Sequence, residues 1–418
     1  IISASLVTSD TTVLPALSLL SSRGESLTYG GSDGATGSAR IPSYVLREDE
    51  SYFVRVEGLD VRTAYQLRVD PIEPGKLSVG QTVQSATNGD TLWNLNAAPG
   101  QIVQISLRAA AGSSLDTLIR LFDGAGQLVS SDDDGGAGYD SLLPLVLPDS
   151  QSYLVQADRL SGTGAFELAV TELTPQALPL DGSPASLVPD RAWSLTGQVG
   201  QVLTVTIQDA GDSSVPYLTL MTADGVALAS SDGAQSLGAV LPQDGDYYLF
   251  AHNIADSGED SMTASLPTAV DAPSLGEMAS QTLYRLATGN VIAEALSLYR
   301  WGTADGAVQF TADARNALCW HGALRGAVGD VIEVCEDLPD SAGTSDPSVL
   351  AMRHDSRGLA RALRGNIEGA IEDFEVFAAS GYNAQQAAQR RAWIDRLRAG
   401  DPVNEIFDEA TLEMLLQQ

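Results

Sequence analysis

The sequence predicts a multidomain chain: three antiparallel β-sandwich domains in tandem, then a C-terminal all-α domain of helical repeats. Three observations predict this. At 418 residues the chain is too long for one ordinary core. Between residues 1 and 268, a pattern of short strands and Gly, Asp and Ser turns recurs at a spacing of about one hundred residues. Near Ser274 the alternation of polar and apolar residues stops and helical spacing begins.

The repeat is read from matching landmarks. Trp93 precedes Gly100-Gln101 and the strand Ile102 to Leu107. Trp193 precedes Gly200-Gln201 and the strand Val202 to Ile207. Ser130-Ser131-Asp132 returns as Ser230-Ser231-Asp232. A strand that follows an acidic turn appears three times, and its aromatic landmarks are aligned as Tyr52, Tyr153 and Tyr248. Leu17 to Leu20 is matched to Leu118 to Leu121, and the closing strands are 64–69 and 165–170. Stretches 71–74 and 174–189 contain Pro and are read as boundaries. The expected domains are 1–70, 75–173, 175–268 and 275–418. About eight strands in ninety-odd residues suit a two-sheet sandwich.

The first copy is incomplete. Its register sets Ile1 opposite Ile102, so residues 75–101, including the Trp93 strand, have no counterpart before Ile1. Three readings stay open: the sequence begins late, the domain closes without that strand, or another subunit supplies it.

In the helical part, Leu283, Leu286, Ile292, Leu296 and Tyr299 recur at three- and four-residue steps around a Gly289-Asn290 turn. Residues 314–336 break at 326–329, and 355–379 turn at Gly365-Asn366.

Gly100-Gln101, Leu118 to Phe122, Asp123-Gly124-Ala125-Gly126, Ser131 to Gly136, Tyr153-Leu-Val-Gln-Ala157 and Gly162-x-Gly164 together resemble the bacterial pre-peptidase C-terminal domain family, over about residues 1–268. The resemblance implies an extracellular accessory or binding role rather than a reaction. Gly358, Gly365, Ala370, Phe374 and Phe377 resemble tetratricopeptide spacing, where small residues let paired helices approach. That resemblance implies binding of proteins or capping of assemblies.

The net charge of −31 argues against nucleic-acid partners and suits divalent cations or basic surfaces. No apolar run is long enough for a transmembrane helix. The start is neither Met nor a signal peptide, as expected of a mature chain after leader removal or of a sequence that begins late. Cys319 and Cys335, the only cysteines, are expected as a disulfide outside the cell, with two buried thiols as the alternative. Asp116, Asp132, Asp133, Asp134 and Asp140 are candidate ligands for calcium, against the reading of a solvated turn. The equivalent acidic positions elsewhere are Asp33 and Asp232. His252, His321 and His354 fall in separate contexts. No nucleophile elbow or His-Glu-x-x-His zinc motif is read along the chain, so no catalytic residue is assigned.

The expected function is non-catalytic: an extracellular structural or assembly protein of a bacterial cell surface, a fibre or filament subunit meeting other copies of itself head to tail. The alternative is a secreted module that binds polysaccharide or another ligand with calcium. That reading is weakened by an aromatic content of 6%.

Overall fold

The computed structural model describes residues 1–416 apart from 11, 25, 32–36, 47–48, 59–62, 86–90, 125, 148–151, 188–190, 209–215, 232–233, 253–259, 269, 305, 307 and 340–345. The N-terminal part is mainly antiparallel sheet, and the C-terminal part has nine helices among the described residues. The chain divides into two compact units, 1–174 with 252–255, and 175–251 with 256–418.

The first unit begins with β1 (Ile2–Thr8), β2 (Ala16–Leu20), β3 (Ser26–Gly30), β4 (Ser38–Tyr44), β5 (Phe53–Glu57) and β6 (Tyr65–Pro71). They form two three-stranded sheets of order β4-β1-β6 and β3-β2-β5. Alternation along β1 turns Ala4 and Leu6 inward. Those residues pack with Leu17 and Leu19 of β2 and with Ala39 and Ile41 of β4, so both sheets contribute to one core. Gly30 ends β3 where a Cβ would stand 2.0 Å from the Arg40 carbonyl oxygen.

The unit continues with β7 (Gly75–Ser78), β8 (Thr82–Ser85), β9 (Thr91–Asn96), β10 (Gln101–Ala109), β11 (Asp116–Phe122), β12 (Leu128–Asp132), β13 (Ser141–Leu147), β14 (Ser152–Ser161) and β15 (Phe166–Glu172). Their sheets have orders β13-β10-β15-β8 and β12-β11-β14-β9-β7. All pairings here are antiparallel except β7 with β9, which is parallel and sets Gly75 beside Trp93. A Cβ on Gly75 would lie 2.4 Å from the indole, so this position needs glycine for the close approach.

The second unit opens with β16 (Gln176–Ala177), β17 (Ala185–Ser186), β18 (Ala192–Gly197), β19 (Val202–Gln208), β20 (Tyr217–Thr222), β21 (Ala227–Ser230), β22 (Ser236–Val240), β23 (Gly245–His252) and β24 (Ser261–Ser265). Read from the matching end, its sheets run β22-β19-β24-β17 and β21-β20-β23-β18-β16. This is the strand order of 75–173 element for element, including a parallel pairing that sets Gln176 beside Trp193.

Cross-strand partners correct two alignments. Trp93 lies opposite Val155 and Trp193 opposite Leu249, so the counterpart of Tyr153 is Tyr247 and not Tyr248. Tyr153 and Tyr247 are both buried. A slip of one residue exchanges the core face for the outer face, so the order of adjacent tyrosines could not be settled by composition. By the same pairing Leu19 matches Leu121, one residue from the expected register. Residues 174–189 are also more than a boundary, because they contribute β16 and β17 to the sheets of the third segment.

The helices are α1 (Ala272–Thr288), α2 (Ile292–Ala304), α3 (Ala312–Leu324), α4 (Val328–Glu336), α5 (Pro347–Leu363), α6 (Ile367–Ala379), α7 (Ala384–Ala399), α8 (Val403–Ile406) and α9 (Glu409–Leu415). Side-chain oxygens of Asp271, Thr311, Asp346, Asn366, Asn383 and Asp408 accept hydrogen bonds from amides in the first turns that follow. Successive helices pack in pairs. Gly322 of α3 meets Val331 of α4, and Gly358 of α5 meets Phe374 of α6. Within the same unit, Trp301 of α2 lies over Gly200 and Met278 of α1 over Gly238, so bare backbone receives a large side chain at each point.

Candidate functional site

The acidic loop is held by its own carboxylates. Asp132 Oδ2 accepts from the amides of Gly135 at 2.9 Å and Leu142 at 2.7 Å. Asp140 Oδ1 accepts from the Ala109 amide at 2.8 Å. Both carboxylates thereby serve backbone donors: Asp132 ties the loop to β13, and Asp140 ties it to the end of β10. Gly135 is required, since a Cβ there would stand 2.6 Å from Asp132 Oδ1. Burial pushes the Asp132 carboxyl up to about 6, against the two amide hydrogen bonds and with help from Asp133 and Asp134. Asp133 and Asp134 are exposed. Asp116 accepts from Ser161 Oγ at 3.3 Å through one oxygen, and its other oxygen is buried with no hydrogen-bond partner. Among the described residues, no three His, Cys, Asp or Glu side chains stand together as a metal would need. Asp33 and Asp232 lie outside the described residues.

The histidines are distributed over three elements. His252 ends β23, where burial pushes its ring down to about 4. His321 of α3 is held below its ordinary value by burial and by the charge of Arg325. His354 of α5 meets Asp373 Oδ1 at 2.7 Å. Asp373 also receives Arg357 at 2.8 Å and Arg361 at 2.8 Å. Burial works to raise Asp373, yet these partners outweigh it and hold the carboxyl below its usual range. A second buried pair joins Arg390 of α7 to Asp355 of α5, at 2.9 and 2.6 Å. The Arg390 guanidinium lies 4.6 Å from the Trp393 ring centre and 5.1 Å from that of Phe377. Spacing alone had pointed to the small and aromatic residues here and missed this ionic layer. The charged residues at helical intervals within apolar faces were its signal.

Cys319 of α3 and Cys335 of α4 form a disulfide with Cα atoms 5.1 Å apart, and both residues are buried. A cleft of ≈470 Å³ opens among the helices, with Tyr284, Trp320, His321, Met352, Tyr382 and Leu415 on its walls. The spelling Gly-x-Ser-x-Gly does occur once, at residues 30–34, contrary to expectation. It falls between β3 and β4, not between a strand and a helix as a nucleophile elbow needs, and 32–36 lie outside the described residues.

No family model matches the chain, and no curated protein matches it. Among solved structures it is similar to the pre-peptidase C-terminal domain of a Bacillus anthracis collagenase, at 16% identity and a TM-score of 0.22, over 24% of this chain and 97% of that one. It is similar to tripeptidyl peptidase 2 at 8% identity and a TM-score of 0.21, over 99% of this chain and 56% of that one. A third similarity, at 10% identity and a TM-score of 0.18, is to a chain of the Sulfolobus turreted icosahedral virus, over 63% of this chain and 77% of that one.

Proposed function

We propose that this chain is a non-catalytic extracellular structural or assembly protein: three β-sandwiches of the pre-peptidase C-terminal type followed by a tetratricopeptide-like end. Copies associate head to tail in a bacterial cell-surface fibre or filament. The observation that carries the reading is the strand order shared by 75–173 and the third segment, which 1–71 follows as far as its strands go. Serial copies of one unit make an extended scaffold in which each part bears on its neighbours. The buried disulfide supports an oxidising compartment. A contact between unlike surfaces of successive copies propagates unless the rotation closes a ring. Light scattering on the purified chain, paired with electron microscopy, tests the reading. Mass rising with concentration, with fibres or rings in the images, is expected. A monomer at every concentration and salt would sink it.

A second reading, a secreted module that binds polysaccharide or another ligand, is favoured by the ≈470 Å³ cleft with its aromatic walls. Calorimetric titration with soluble glycans, with and without calcium, tests it.

A further inference from the structure

The helical part leaves few large apolar side chains in water. Among its described residues these are Tyr284, Met352, Val376 and Tyr382, at 50%, 37%, 43% and 47% exposed. Tyr284, Met352 and Tyr382 all line the ≈470 Å³ cleft, and Val376 does not. The cleft lies within the second unit. Helix α3 gives it one face, because Asp313, Asn316 and Trp320 recur at three- and four-residue steps. Tyr284 comes from α1, Met352 and Arg353 from α5 and Arg390 from α7, and Tyr382 stands between α6 and α7.

The charged groups of these walls are matched inside the cleft itself. Arg353 holds the exposed Asp313 at 3.3 Å, and Arg390 holds the buried Asp355 at 2.6 Å. His321 presents a neutral ring at pH 7, since burial and the charge of Arg325 keep it below its ordinary value of 6.5. Asn316 adds a half-buried amide. The cleft therefore combines aromatic surface with hydrogen-bonding groups and carries no unmatched charge. Its volume falls among small-molecule sites, which run to about 300–1,000 Å³.

We propose that this cleft binds an uncharged sugar ring of a neutral oligosaccharide. The inference rests on the ligand-binding reading and names its site and the class of its ligand. A pyranose ring has C–H groups on its faces and hydroxyls around its rim. The faces suit Tyr284, Trp320 and Tyr382, and the rim suits a carboxylate, an amide and a neutral imidazole, because a hydroxyl both donates and accepts. A phosphate or uronate would find both guanidinium groups already holding carboxylates, in a chain of net charge −31. A cation would suit the rings but would meet Arg353 and Arg390. An acyl chain would strip water from Asp313, Asn316 and His321 and return no hydrogen bond. The low aromatic content of the whole chain, 6%, does not count against the site, because the rings that matter are gathered in one place.

Isothermal calorimetry on the full 418-residue chain is the test. The neutral probes are cellotetraose, maltotetraose, xylotetraose and chitotetraose. The comparators are tetragalacturonate, a heparin tetrasaccharide and a blocked tetra-alanine peptide. At least one neutral probe should bind, and its affinity should change by less than about twofold between low and physiological salt. Tyr284→Ala and Tyr382→Ala should each weaken it by roughly tenfold. Both side chains already meet solvent, so both variants should keep the parent's melting temperature. Binding of a comparator with none of the neutral probes overturns the ligand class and leaves the ligand-binding reading standing. A neutral probe that binds both variants as tightly as the parent chain overturns the site and leaves that reading standing too. Binding that fades steeply with salt overturns the uncharged contact. Heat from no probe at all overturns the proposal and the ligand-binding reading together.

Discussion

Asp132 carries a pH dependence that can be read from its surroundings. Its folded carboxyl, at about 6, stands above the ordinary 3.8, so between those values the folded chain binds more protons than the unfolded one. Stability therefore falls as pH rises from about 4 to about 6 and is flat above. The effect is on the order of 2 kcal/mol at neutral pH after allowance for partial exposure. Asn can set its oxygen where Oδ2 accepts from Gly135 and Leu142, so Asp132→Asn should raise the melting temperature at pH 7 and flatten that slope. Scanning calorimetry at several pH values checks it. Arg390 is the opposite case. Asp355→Ala leaves a buried guanidinium without its carboxylate, at a cost of about 3–5 kcal/mol. Asp355→Leu combined with Arg390→Met should cost much less. Urea unfolding of both variants measures the difference.

At the scale of elements, the disulfide clamps α3 to α4 across a separation of 16 residues. Closing a loop of that size restrains the unfolded chain by about 3 kcal/mol in the entropy model. Replacing both cysteines with Ala should lower helical stability by that order, seen as an earlier loss of far-ultraviolet helix signal under denaturant. A reducing agent should have a smaller immediate effect, because both cysteines are buried. Alkylation without reductant should label neither sulfur in the native chain. Gly75→Ala strains a different element, pressing a methyl group into Trp93 and loosening β7 from β9 by about 1–3 kcal/mol. A shift in tryptophan fluorescence before global unfolding is the expected sign.

For the molecule as a whole, charge sets the conditions of assembly. A chain of net charge −31 repels its own copies at low ionic strength, and screening within about 8–10 Å relieves that repulsion at physiological salt. Head-to-tail association of copies should therefore strengthen as salt rises from low to physiological levels. Sedimentation at two salt concentrations checks it; weaker association in salt would point to an ionic contact instead.

The sequence by itself determined the change from sheet to helix near Ser274 and the spacing of the repeated strand pattern. Strand alternation, turn residues and helical periodicity are local signals, and a repeat needs only self-comparison. It also pointed to a Cys319–Cys335 disulfide, as the only two cysteines of a chain expected outside the cell, and left two buried thiols as the alternative; the fold joins them. The tertiary structure decided which tyrosine faces the core, because cross-strand pairing sets register and Tyr247 and Tyr248 are equivalent until a partner strand chooses a face. It decided that 176–177 and 185–186 are strands, since two-residue pairings have no pattern of their own. It turned Asp132 and Asp140 toward backbone amides, because a carboxylate's partner depends on which donors the fold brings within reach. Only in three dimensions do Tyr65, Leu67 and Val69 differ from Phe166, Leu168 and Val170. The residues alternate alike, and exposure depends on whether another strand lies beside them.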